Sequence, residues 1–371
     1  MKKTLLIICA MLLLGNSRAM ALEVSAEYAC VMLAQTGEVI YEKNAYVQHS
    51  MASTTKIMTA LVALENCGLE DVVTVSRNAS MQEGSSMYLH PGDQITMENL
   101  LYGLMLNSGN DAAVAIAEHV AGTAEIFAEM MTARARELGA ENTQFKNPNG
   151  LDADGHYTTA YDLALITRAA MKNDTFRQIV KTKSKTVSLA GGGADLYLGN
   201  HNKMLQLYDG AIGVKTGFTK ATGRCLVSAA ARDGVEVIAV TLQAPDDWND
   251  HTRMLDDAFS RYAEATVFHA GDCLRETEVA GEPVQVLVGE DVKTVSPKGE
   301  QPKAEVVVHL AENLSGPVIQ GEKIGYMEVK TGDQSQAVPL LCDRAVERKP
   351  SGWELFCQAF LRVAAVWFLG K

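Results

Sequence analysis

Strand-forming segments sit at both ends of a long helical stretch, and this split limits the packings open to the chain. Residues 28–33 and 39–42 are rich in β-forming residues, with Gln35-Thr36-Gly37 as the turn between them, which reads as a β-hairpin. Comparable segments return at 211–218, 225–230 and 235–242, the last two joined by Asp233-Gly234, a strong hairpin signal. Helices are expected between them, over 54–66, 97–106, 111–120, 124–138 and 161–172. In the first, Ile57, Met58, Leu61, Val62 and Leu64 form one broad apolar face and Gly68 suits the stop. Gly139 can close the fourth and Thr159 can cap the last. A closing helix is expected over 248–267, with Met254, Leu255, Ala258, Phe259 and Tyr262 on one side. The simplest packing is an α+β fold: one five-stranded, mainly antiparallel sheet flanked by helices, shared by the first and last parts of the domain.

The pattern changes near His269-Ala270-Gly271-Asp272. Short segments at 284–288, 305–310, 326–329 and 337–341, separated by Gly, Pro, Asp and Lys, read as a small all-β domain. The expected division is a signal at 1–21, a main domain at 22–268, the β domain at 269–346 and a tail at 347–371. Lys2 and Lys3, the apolar run from Leu5 to Leu14 and the small-residue exit Ala19-Met20-Ala21 are the three parts of a secretory signal. An uncleaved anchor is the alternative, but the run is short for a span. In the tail, Trp353, Phe356, Phe360, Val363 and Trp367 recur at helical spacing on one stripe, so a helix lying in a membrane interface is expected. A helix docked on the β domain, or an oligomer contact, is the competing reading.

Acidic residues outnumber basic ones 45 to 33, a net charge of −12, so no nucleic-acid partner is expected. Apolar residues at 47% suffice for a large core and argue against long disorder. Cys9 falls in the signal; the other six cysteines, Cys30, Cys67, Cys225, Cys273, Cys342 and Cys357, form no C-x-x-C, and buried free thiols are as consistent as disulfides. With the histidines scattered and no H-E-x-x-H, no metal site is expected. The run Gly191-Gly192-Gly193 lacks a nucleotide-loop frame and reads as a hairpin tip, so no cofactor is expected.

Three short motifs carry chemistry. Ser53-Thr54-Thr55-Lys56 opens the first helix, and a spacing of three puts the hydroxyl and the amine on one side of a turn. Serine is a poor nucleophile until a base takes its proton, and at an ordinary pKa of about 10.4 only roughly one lysine in a few thousand is neutral at pH 7. A drop of about three units, equivalent to about 4 kcal/mol, removes most of that penalty; burial or a second cation can supply it. Ser108-Gly109-Asn110 lies between two apolar helices, where Ser108 can pass a proton to a leaving amine and the Asn110 amide can hold a substrate carbonyl. Lys215-Thr216-Gly217 lies on a strand, with Lys215 and Gly217 on one face and Thr216 on the other. A cation and a hydroxyl there suit a carboxylate, Gly217 allows close approach, and the Phe218 N–H can join that of Ser53 in an oxyanion hole. Alone, each motif is also consistent with a cap, a turn or an ordinary strand. Ser76-Arg77-Asn78 repeats the second pattern but reads as a loop or helix cap; Lys330-Thr331-Gly332 repeats the third but leads into what reads as a surface turn. His156 and Tyr157 precede a helix in a polar stretch and read as structural.

In this order, S-x-x-K, S-x-N and K-T-G resemble the penicillin-recognising serine acyltransferases. Met51-Ala52-Ser53-Thr54-Thr55-Lys56-Ile57-Met58-Thr59-Ala60, Leu106-Asn107-Ser108-Gly109-Asn110-Asp111-Ala112-Ala113 and Gly213-Val214-Lys215-Thr216-Gly217 are similar to the D-alanyl-D-alanine carboxypeptidases, the low-molecular-mass penicillin-binding proteins. Asn147-Pro148-Asn149-Gly150-Leu151 and His156-Tyr157-Thr158-Thr159-Ala160-Tyr161-Asp162 extend the resemblance, which covers about residues 25–268 and, more loosely, the β domain and tail. It implies a β-lactamase/transpeptidase-like fold and a role for each matching residue. Ser53 would attack the carbonyl between the two terminal D-alanines of a peptidoglycan stem peptide, Lys56 would take its proton, and Ser108 would relay one to the leaving D-alanine. Asn110 would position the peptide, and Lys215 and Thr216 would bind its carboxylate. Water would then hydrolyse the acyl-enzyme, and β-lactams would acylate Ser53 and leave slowly. Phe218 stands where some relatives have His. The resemblance implies export to the outer face of the cytoplasmic membrane. Rival readings are a transpeptidase or endopeptidase acting on cross-links, a β-lactamase, and a non-catalytic wall-binding protein. No E-x-x-L-N stretch, usual in the class A β-lactamases, lies between Asn110 and Lys215.

Overall fold

The split strands join. The computed structural model describes residues 22–190, 192, 195–311, 314, 317–347 and 352–369, so the expected signal at 1–21 and most of the Gly191-Gly192-Gly193 run lie outside it. Strands β1 (Tyr28–Leu33) and β2 (Val39–Lys43) form the first hairpin; β3 (Ala211–Thr219), β4 (Gly223–Arg232) and β5 (Val235–Leu242) form the second antiparallel run. β1 pairs with β5 from Tyr28↔Leu242 to Leu33↔Val237, which gives one sheet in the order β2-β1-β5-β4-β3. Successive residues point to opposite faces, and both faces are covered. Cys30, Met32, Val227, Ile238 and Val240 face the helical layer; Val31, Leu33, Leu226, Val237 and Ala239 face the closing helix. Because both faces are apolar, polarity alone does not fix the β4–β5 register. The turn does: Asp233 and Gly234 both have positive φ, 49° and 79°, as a tight primed turn requires.

The helical layer comprises α1 (Lys56–Asn66), α2 (Met97–Leu106), α3 (Asn110–Ala121), α4 (Ala124–Glu137), α5 (Ala160–Ala170) and α6 (Asp174–Lys181). Threonine side chains cap three of them: Thr96 accepts from the Asn99 N–H, Thr123 from that of Ile126, and Thr159 from that of Asp162. Helix α6 was not expected from the sequence, since its Phe176, Ile179 and Val180 span barely two turns. The closing helix α7 (Asp247–Arg261) is shorter than expected. From Tyr262 to Phe268 the chain is a strand, β6, paired with Val292–Pro297 from Tyr262↔Pro297 to Phe268↔Val292. Thr266, Val267 and Phe268 are β-branched or aromatic, and a ladder partner distant in sequence overrides the helical spacing.

Beyond β6, strands β7 (Cys273–Val279), β8 (Glu282–Val288), β9 (Val292–Pro297), β10 (Glu305–Leu310), β11 (Lys323–Thr331) and β12 (Gln334–Cys342) complete the all-β unit. It has a two-stranded sheet β6-β9 and a five-stranded sheet in the order β7-β8-β12-β11-β10. The second K-T-G does not end in a free surface turn. The neighbouring Asp333 accepts from the Arg168 guanidinium on both carboxylate oxygens, at 2.5 and 2.7 Å, and its N–H donates to Thr36 O. Arg168 also donates to Ala34 O and Gln35 O, so this turn clasps the β unit to the main domain. Thr331→Ala is therefore expected to leave D-alanine release unchanged; a large loss would mean that the wrong K-T-G had been assigned to the site. All six described cysteines are free, with Cys30, Cys225 and Cys342 buried.

Candidate active site

The 3-10 turn Ala52–Thr55 runs directly into α1, which places the Ser53 hydroxyl one turn from the Lys56 amine. Lys56 is fully buried. Its Nζ lies 2.9 Å from Ser53 Oγ, 2.7 Å from Asn110 Oδ1 and 2.5 Å from the Asn149 carbonyl. Two of these partners can only accept a hydrogen bond; the serine hydroxyl can also donate. A neutral amine has two N–H groups and one lone pair, so it satisfies all three if the lone pair faces Ser53. Burial pushes the Lys56 amine well below its ordinary pKa, and the nearby Lys215 cation pushes in the same direction; Asp111 opposes them. Asn110 is itself held, with Nδ2 donating to Glu83 O at 2.5 Å and its backbone N–H to Ser85 O at 2.7 Å.

Ser53, Ser108, Thr216, Gly217 and Phe218 line one cleft of about 310 Å³. Ser108 sits at the α2–α3 turn with φ of 58°, a strained value for a residue with a side chain, of a kind that clusters at functional sites. β3 is an edge strand, so alternate N–H groups face away from the sheet. It runs close to the Ser53 turn: a Cβ on Gly217 would come within 3.1 Å of Ser53 N and 3.0 Å of Met51 O. Lys215 lies behind the cleft wall, buried, with Nζ donating to Thr216 O at 3.0 Å; burial lowers its pKa to about 7. All eight residues singled out in the sequence thus converge: Ser53, Lys56 and Asn110 by direct hydrogen bonds, the others around the cleft or immediately behind it.

Residues 15–246 match the sequence model of a family described as D-alanyl-D-alanine carboxypeptidase. The chain belongs to that family. Residues 262–348 match a second model, described as the C-terminal domain of penicillin-binding protein 5. The D-alanyl-D-alanine carboxypeptidase DacF of Bacillus subtilis (strain 168) is 32% identical over 327 residues, covering 85% of this chain and 84% of its own. Among solved structures, the D-alanyl-D-alanine carboxypeptidase DacD of Francisella tularensis superposes with a TM-score of 0.64 at 27% identity, over 88% of this chain and 95% of its own. The Streptomyces K15 DD-transpeptidase gives 0.62 at 37% identity, over 64% of this chain and 98% of its own.

Other parts of the candidate site of this D-alanyl-D-alanine carboxypeptidase were not assigned from the sequence. Asn149 contributes a backbone carbonyl, which leaves no side-chain signal. His201, Arg224, Asp247 and Trp248 also line the cleft. Arg224 pairs with buried Asp247 at 2.9 Å and lies 5.8 Å from the Trp248 ring centre. His156 stays out of the cleft: Nε2 meets Thr55 Oγ1 at 2.8 Å and Nδ1 accepts from the Lys146 N–H, while burial lowers its pKa to about 4. It is structural, tying the segment before α5 to the Ser53 turn. Ser76 is a helix cap, accepting from the Ala79 N–H. Among the described residues no group of three metal-ligating side chains converges on the cleft.

Proposed function

We propose that this enzyme removes the terminal D-alanine from peptidoglycan stem peptides through an acyl-enzyme on Ser53, with Lys56 as the base. The observation that carries this reading is the bonding of Lys56: a buried amine whose only partner able to give a proton, among the described residues, is the Ser53 hydroxyl. Substrate enters with its terminal carboxylate against Thr216 and the charge of Lys215. The Ser53 Oγ–H proton passes to Lys56 Nζ as Oγ bonds to the carbonyl carbon. The Ser53 and Phe218 N–H groups hold the oxyanion, and Asn110 orients the peptide. As the C–N bond breaks, Ser108 relays a proton to the departing D-alanine amine. Water then cleaves the Ser53 ester and restores the enzyme. A β-lactam follows the same first step and leaves slowly. The test is residues 22–371 incubated with a D-Ala-D-Ala-terminated peptide, following freed D-alanine and fluorescent-penicillin labelling. Full D-alanine release by Ser53→Ala would refute the assignment.

The pH profile gives a second check. kcat/KM rises on the acid side as Lys56 loses its proton, and falls on the alkaline side as Lys215 loses its own in the free enzyme, from about 7. Lys215→Arg keeps a cation at every accessible pH, because guanidinium titrates above about 12. The expected result is a lower rate whose alkaline limb has disappeared. An unchanged alkaline limb would remove Lys215 from carboxylate binding.

The domain division, export and membrane attachment complete the proposal. The charged, apolar and small-residue parts of 1–21 support export, which would place the enzyme at the outer face of the cytoplasmic membrane. The tail forms α8 (Gly352–Leu369), and no helix among the described residues is long and apolar enough to cross a membrane. Trp353, Leu355, Phe356, Phe360 and Leu361 are exposed, with the Trp353, Phe356 and Phe360 rings stacked in sequence. An uncovered aromatic stripe suits the lipid–water boundary better than docking on the β unit. Cutting the chain after Ser351 is expected to move it from the membrane to the soluble fraction; equal membrane recovery with and without the tail would end this part of the proposal.

A further inference from the structure

Helices α1 and α3 both begin in the active site and both end at one patch on the far side of the domain. Lys56 is the first residue of α1, and Cys67 caps its other end. Asn110 is the first residue of α3, and His119 lies in its last turn. At about 1.5 Å per residue, the proposed ligands lie roughly 14–17 Å along these helices from their starts at the cleft. There the Cys67 sulfur, an Asp71 carboxylate oxygen and a His119 ring nitrogen all lie within 4.8 Å of one another. We propose that these three side chains bind one divalent transition-metal ion of the Zn²⁺ class, a site separate from the catalytic cleft.

The chemistry of the donors selects the ion. Thiolate and imidazole favour Zn²⁺, Co²⁺ or Ni²⁺, whereas Mg²⁺ and Ca²⁺ take oxygen ligands. A thiolate and a carboxylate together carry two negative charges, which match a divalent ion. Binding forms the metal–sulfur bond, and the Cys67 thiol proton leaves to solvent. Donors around a tetrahedral Zn²⁺ sit roughly 3.5 Å apart, given bond lengths of about 2.0–2.3 Å. Asp71 and His119 are exposed and Cys67 half-buried, so small side-chain rotations close the remaining distance and the outward face stays open to a water ligand.

The backbone beneath these side chains is fixed. The Cys67 N–H donates to Ala63 O, the Asp71 N–H to Gly68 O, and the Met97 N–H to Asp71 O. The Gly68 N–H donates to Asp71 Oδ2 at 2.9 Å, which leaves Oδ1 to turn outward. Two ligands therefore share one turn after α1, and the third comes from α3. A bound ion would staple the far ends of the two helices whose near ends hold Lys56 and Asn110 in contact. Its effect falls on stability, since no ligand reaches the cleft.

The test uses the full mature chain, reduced and free of any histidine tag, with Co²⁺ as the spectroscopic probe and Zn²⁺ as competitor. One equivalent of Co²⁺ is expected to bind with a thiolate charge-transfer band, Zn²⁺ to displace it, and Tm to rise with Zn²⁺ concentration. Cys67→Ser abolishes the band. His119→Gln and Asp71→Asn each weaken binding at least about 10-fold, the loss caused by removing even a ligand's supporting partner. All three variants keep the parent rate of penicillin acylation, so this outcome is read separately from the reaction at Ser53. Absence of saturable one-equivalent binding would overturn the site, and so would equal binding by the parent, Cys67→Ser and His119→Gln.

Discussion

Lys56→Ala is expected to release D-alanine, and to take a fluorescent penicillin label, at least about 10⁴-fold more slowly than the parent, the scale seen when one member of a serine–base pair is removed. Alanine offers no group to take the Ser53 proton, and a water entering the vacated space is a far weaker base than a neutral amine. The truncation leaves Asn110 Oδ1 and the Asn149 carbonyl without their donor, at about 1–3 kcal/mol for each buried acceptor. It also removes an amine whose charge is expensive to bury, so the net change in stability is smaller than that sum. Ser53→Ala separates the two effects. It keeps the Lys56 bonds to Asn110 and Asn149, so it should lose labelling with little change in Tm. A Lys56→Ala chain that stays folded by circular dichroism and labels within tenfold of the parent would exclude Lys56 as the base.

Gly150→Ala is the second large effect, and it acts through the backbone alone. Gly150 has φ of 84°, and a Cβ there would lie 2.0 Å from Ala52 O and 3.0 Å from Ser53 N. Both neighbours are main-chain atoms of the Ser53 turn, so no side chain can swing aside. The segment carrying the Asn149 carbonyl must retreat from Lys56, or the Ser53 turn must move. A displacement on the order of 1 Å at a reacting group costs about 10²-fold in rate, and the acylation rate should fall by that much or more, with a lower Tm. Gly271→Ala is the control: its φ is 89°, but nothing lies within 4 Å of its added Cβ. The control should show the backbone strain without the loss of acylation. Equal acylation by the Gly150→Ala chain would show that the contact is not needed.

Most residues proposed to act through a side chain were legible before the structure. Ser53, Lys56, Ser108, Asn110, Lys215 and Thr216 carry their chemistry in functional groups, and their order along the chain is unusual enough to identify. Asn149 and Gly150 contribute a carbonyl and the absence of a Cβ, which no motif of functional groups displays. Arg224 and Asp247 meet through the neighbouring ends of β4 and α7. The strand at Tyr262–Phe268 was hidden for a related reason: its partner, Val292–Pro297, is what makes it a strand.

The amino-acid order by itself determined the five strands, the main helices and the candidates for the reacting groups, because apolar periodicity and side-chain chemistry are local properties. Only the folded chain decided that Lys56 is sealed against Asn110 and Asn149, that β3 passes against the Ser53 turn, and that Cys67, Asp71 and His119 share a patch. Those facts depend on contacts between segments far apart in sequence, and burial, which sets the charge of an amine, exists only once those segments have packed.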